Sequence, residues 1–109
     1  MDDEIGDPGG VVAVLRRHVP KVDGIIEHVE IGEDRQLVIS LQKSQLADIR
    51  ATMTNGLTEV ELRQLGHEID AGIVAACISD AIDDTAPSIA LLRYRAALIV
   101  LSDLLNNKI

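Results

Sequence analysis

The sequence predicts an α+β fold in the order α-β-β-α-α-α, and three observations carry that expectation. Apolar residues recur at helical spacing in four stretches, and a short run around Ile39 alternates apolar and polar side chains. Thr58 with Glu61 spells a T-x-x-E capping box at the head of the longest helical stretch. No internal repeat or low-complexity tract interrupts the order.

Residues 1–7 carry four acids and read as a flexible, solvated tail, leaving 8–109 as one domain. Asp7 is an N-cap candidate, and Pro8 suits a first helical turn. Val11, Val12, Val14, Leu15 and Val19 then build a broad apolar helical face, with Pro20 as the expected stop. The valines lower intrinsic helix propensity, so packing must hold this helix.

The period changes next. Ile25, Val29 and Ile31 share one parity, and Ile26, His28 and Glu30 the other. Leu37, Ile39 and Leu41 alternate with Val38, Ser40 and Gln42. Gly32, Glu33, Asp34 and Arg35 supply turn chemistry between the two runs, so the segment reads as a β-hairpin. Glu27 falls on the otherwise apolar parity of the first strand, which argues against a wholly dry face.

Ser44 is placed to cap a helix through Met53, with Leu46, Ile49 and Met53 on one stripe and Asn55-Gly56 at its end. The capping box starts a helix that runs to about Ile82. Leu62, Leu65, Ile69, Ile73 and Ala76 line one side, and Val74, Ile78 and Ile82 add a second in its later half. Residues 83–87 break the chain. Pro87-Ser88 opens a last helix, to about Asn106, that is apolar nearly all round between 96 and 105.

Composition excludes several functions. The 109 residues hold 18 acidic and 10 basic side chains, a formal charge of -8, and Tyr94 is the only residue among Phe, Trp and Tyr. Nucleic acid requires clustered cations and, for single strands, aromatic platforms. The one local basic cluster, Arg16, Arg17, His18 and Lys21, suits the C-terminal end of a helix, where cations complement the dipole. A helix-turn-helix drawn across 46–65 would place Glu59 and Glu61 against phosphates, which excludes it. Apolar stretches such as 96–102 fall far short of the ~20 residues a membrane span needs. The acidic start at Asp2, Asp3 and Glu4 is unlike a secretory signal, and one cysteine forms no internal disulfide, so the expected compartment is the cytoplasm.

Two features point to assembly. An isolated two-stranded hairpin is marginal in water. A helix apolar all round is normally central to a larger core than one hairpin and three further helices provide. Ala71, Gly72, Ala75 and Ala76 also permit close helix approach. The expectation is a homodimer with Ile73, Ala76, Ile78, Leu98, Leu101 and Leu105 at its interface.

Candidate chemistry is sparse. His67 and Asp70 share a helix face and form at most half of a metal site, more simply a solvated polar face. Cys77 lies among apolar neighbours and reads as a buried structural thiol. His28 alternates with Ile26 and Glu30 and faces Ser40 or Gln42 across the hairpin. Arg93 and Arg95 flank Tyr94 and are the candidate anion-binding pair, although intramolecular ion pairing is the simpler use. No nucleophile elbow, phosphate-binding loop, dinucleotide fingerprint or C-x-x-C is present. Size and acidity are similar to those of secretion chaperones and toxin-immunity proteins, a likeness of composition with no motif behind it.

The expected function is therefore a non-enzymatic interaction protein of adaptor, chaperone, inhibitor or immunity type. It needs no cofactor, and Glu27, Glu30, Glu33 and Asp34 would steer a basic protein partner. The alternative is a small-molecule or anion-binding protein, or a small enzyme, using Arg93 and Arg95 with His67 or His28 as acid-base.

Overall fold

Six regular elements follow the expected order: α1 (Val11–Asp23), β1 (Ile26–Ile31), β2 (Leu37–Leu41), α2 (Leu46–Thr54), α3 (Glu59–Ile82) and α4 (Ile89–Leu105). The computed structural model describes residues 10–34, 36–82 and 88–108, without the side chains of 79–82. The readings of the acidic tail, of Asp7 and Pro8, and of Pro87 lie outside these residues.

Helix α1 buries Val11, Val14, His18 and Val22, a single stripe at helical spacing. Pro20 does not stop it. A proline in the last turn removes only one intrahelical bond, and the turn it occupies carries Val22 into the core at 0% exposure. Gly24 and Ile25 then donate their N–H groups to Pro20 and Val22, both at 3.0 Å, and close the helix.

The strands pair antiparallel, with Val29 opposite Ile39 and His28 opposite Ser40. A bulge between Ile26 and His28 takes Glu27 out of the ladder. This resolves the parity conflict: Ile25 and Ile26 are both buried while Glu27 turns to solvent. At the other end, Gly32 N–H bonds the Gln36 carbonyl at 2.8 Å, and Asp34 Oδ1 accepts the Gln36 N–H at 3.2 Å.

Ser44 is not a cap. It lies inside a 3₁₀ turn, Lys43–Gln45, whose tighter bonding leads directly into α2 without a side-chain cap. Leu46, Ile49 and Met53 are buried as the stripe requires. Gly56 takes φ +78°, the left-handed conformation that glycine adopts without steric cost. The capping box forms in both directions: Thr58 Oγ1 accepts the Glu61 N–H at 3.2 Å, and Glu61 Oε1 accepts the Thr58 N–H at 3.0 Å. Ser88 caps α4 through the Leu91 N–H at 3.2 Å.

Helix α4 is the axle of the core. It packs on α1, α2, α3 and both strands. Ala96, Ala97, Leu98 and Leu101 reach 0% exposure, with Val100 and Leu104 at 2%. Its last turn closes with Asn107 at φ 58°, Asn107 N–H to the Leu104 carbonyl and Lys108 N–H to the Asp103 carbonyl, a Schellman-type end with asparagine in the left-handed position. Helix α3 packs on α1 and α4. The chain carries no charge from 71 to 79, and Val74 and Ile78 remain more than half exposed there.

Candidate functional site

The all-round apolar α4 is covered within one protomer, which changes the standing of the residues named for a dimer interface. Ala76, Leu98 and Leu101 are interior, at 5%, 0% and 0% exposure, and cannot meet a second copy. Ile73 and Leu105 are half-buried. Ile78 alone of the six is well exposed, at 54%, and it shares the outer face of α3 with Val74 and the exposed Ala71 and Ala75.

Arg93 and Arg95 do not converge on one ligand. The part-buried Arg93 guanidinium is engaged within the protein through two of its nitrogens. Its Nε donates to Asp23 Oδ1 at 2.8 Å, and Nη2 donates to the carbonyls of Asp23 at 2.8 Å and Ile26 at 3.1 Å. It ties the end of α1 and the start of β1 to α4, the intramolecular use that the sequence makes the simpler one. Arg95 approaches α3 instead, with Nη2 3.5 Å from Cys77 Sγ. Cys77 is exposed, not buried. Neither His28 nor His67 lies in the groove beside Arg93.

The four acids named for a partner are all exposed, but they do not form one patch. Glu27 sits at the bulge, Glu30 on the outer hairpin face 3.6 Å from His28 Nε2, and Glu33 with Asp34 at the turn. Strand rise puts the bulge and the turn ~20 Å apart. Glu27 has a different neighbourhood from the rest. It borders a groove of about 420 Å³ between the hairpin and α4, with Ile39, Leu41, Ile99 and Val100 providing apolar walls. Asp103 and Lys43 also border it. The sequence concealed this site because Asp103 and Glu27 come to border one groove only when α4 packs on the hairpin.

A larger groove of about 640 Å³ runs between α2, the first half of α3 and the end of α4. It takes in His67 and Asp70, and brings to them Arg50, Arg63, Ser102 and Asn106. Arg50 Nε donates to the Leu104 carbonyl at 3.0 Å, which holds that guanidinium against the last turn of α4. His67 and Asp70 make no hydrogen bond or ion pair with each other. Sequence reasoning passed over Arg50 and Arg63. They come to border one groove because α2 and α3 each pack on α4, which no local pattern encodes.

Among the described residues, no three His, Cys, Asp or Glu side chains gather as a metal site, and no helix is long and apolar enough to cross a membrane. No protein-family model, curated protein or solved structure matches the chain.

Proposed function

We propose that this protein is a non-enzymatic interaction module that holds a basic, amphipathic segment of another protein in the groove between the hairpin and α4. The observation that carries this reading is the groove's composition: apolar walls from Ile39, Leu41, Ile99 and Val100, with the carboxylates of Glu27 and Asp103 at its border. Apolar side chains of a partner would bury against the walls while lysine or arginine meets the two acids. The chain's charge of -8 steers such a partner in from a distance. Self-association belongs to the same proposal, through the uncharged outer face of α3 around Val74 and Ile78.

The test is fluorescence anisotropy with a synthetic helical peptide carrying leucines on one face and lysines on its flanks. A matched peptide has glutamate in place of every lysine. The lysine peptide should bind saturably, weaken as salt rises, and lose about tenfold or more in affinity when Glu27 and Asp103 are both changed to lysine. Equal binding of the two peptides, or no response to the double reversal, overturns the proposal. Sedimentation velocity tests the second copy. A dimer that Val74→Glu and Ile78→Glu convert to monomer supports it, and a wild-type monomer at about 100 μM refutes that part.

A further inference from the structure

Cations are in the minority here, 10 against 18 acids, so each arginine has ready carboxylate partners. Arg93 uses one, in its bond to Asp23. The two arginines of the α2–α3–α4 groove behave differently. Arg63 lies four residues after Glu59 on α3, the spacing at which an ion pair forms readily, yet it makes no hydrogen bond or ion pair among the described residues. Arg50 is anchored by Nε alone, so its two terminal nitrogens have no protein partner among them. His67 also lines the groove with no partner among them.

The groove is shaped around these groups. Gly66 stands between Arg63 and His67 and lines the groove with them. A Cβ at that position would lie 3.5 Å from Leu105 Cδ2. Ser102 offers a hydroxyl from α4. Along α3 the order Glu59, Arg63, His67, Asp70 places carboxylates at both ends of the positive centre.

We infer that this groove is a binding site for a compact oxyanion that carries hydroxyl groups, with Arg50 and Arg63 holding the anion and Glu59 and Asp70 accepting from the hydroxyls. Arginine's planar fork suits phosphate and carboxylate alike. A long polyanion is excluded because its successive charges would meet Glu59 and Asp70. A volume of about 640 Å³ suits a small metabolite. The site is distinct from the hairpin groove and does not depend on the peptide-binding proposal.

The experiment is a ¹⁵N–¹H correlation NMR titration of the full chain with glycerol 3-phosphate and, separately, with glycerate, at constant ionic strength against chloride. Saturable shifts confined to amides around Gly66, His67, Ser102 and Asn106 are expected, and the tighter of the two probes identifies the anion. Arg63→Gln should weaken binding roughly tenfold with an unchanged melting temperature, Arg63→Lys should weaken it less, and Arg16→Gln, on α1, should leave it unaltered. Shifts no larger than those with chloride, shifts that never saturate, or equal losses from Arg63→Gln and Arg16→Gln overturn the inference.

Discussion

Replacing Arg93 with methionine keeps much of the side chain's apolar stem and removes three hydrogen bonds at once, so it isolates what the guanidinium contributes. Two of those bonds end on backbone carbonyls, those of Asp23 and Ile26, in a part-buried setting. A charged donor to a carbonyl contributes about 1.5–3 kcal/mol when buried, and partial exposure reduces each to about 1 kcal/mol. The third bond is an ion pair with Asp23, whose side chain is 47% exposed, so solvent screening limits it to about 0.5 kcal/mol. The loss for Arg93→Met is therefore about 2–3 kcal/mol, and for Asp23→Asn about 0.5 kcal/mol. With a urea m-value of about 1–3 kcal/mol/M, Arg93→Met lowers the unfolding midpoint by roughly 1–2 M, read by far-UV circular dichroism. Because most of the loss comes from uncharged acceptors, about 0.5 M NaCl should barely change the difference. If Asp23→Asn costs as much as Arg93→Met, or if salt erases the gap, the contact is a plain ion pair and the clamp argument fails.

Two glycines on α3 should respond in opposite directions to alanine. Gly66 has an ordinary 3.5 Å contact awaiting a Cβ, so Gly66→Ala should stabilise by up to about 1 kcal/mol through helix propensity. Gly72 would place a Cβ 2.9 Å from Leu98 Cδ1, and Leu98 is fully buried, so overpacking of about 1–3 kcal/mol cancels or outweighs that gain; a clear gain in chemical denaturation at Gly72 would contradict the packing described. His18 is 1% exposed, its Nδ1 bonds the Val14 carbonyl at 2.8 Å, and its Nε2 has no hydrogen-bond partner among the described residues. His18→Leu removes that buried orphan and should raise stability by about 1 kcal/mol, whereas a comparable loss would mean that Nε2 is satisfied in solution. Cys77 should react stoichiometrically with a thiol reagent in the native protein, and reaction only after denaturation would restore the buried thiol that the sequence suggested.

Local signals were legible where a few neighbouring residues decide the outcome. Thr58 and Glu61, Gly56, Ser88, and the stripe of Leu46, Ile49 and Met53 each behave as their spacing requires. Pro20 misled because the burial of Val22, a tertiary effect, outweighs one lost helical bond. Ser44 misled because capping propensity does not foresee a 3₁₀ turn before the helix. Cys77 misled because apolar neighbours along a helix do not establish that another element covers them. The two grooves were invisible in sequence for a different reason. Arg50 and Arg63 come to border one groove, and Glu27 and Asp103 another, only through tertiary packing on α4 that no local pattern encodes.

The central position of α4 bears on how the chain is made. The first helix and the hairpin finish their packing against residues supplied much later, as the bond from Arg93 to Asp23, 70 positions apart, illustrates. On the ribosome, the earlier elements emerge with the faces they pack on α4 still uncovered. They must wait until α4 has emerged, so closure of the core waits on the last of these elements. During that wait the nascent chain exposes an apolar hairpin, the kind of surface that holdase chaperones engage. Long-range closure of this kind also slows refolding relative to helical bundles built from local contacts.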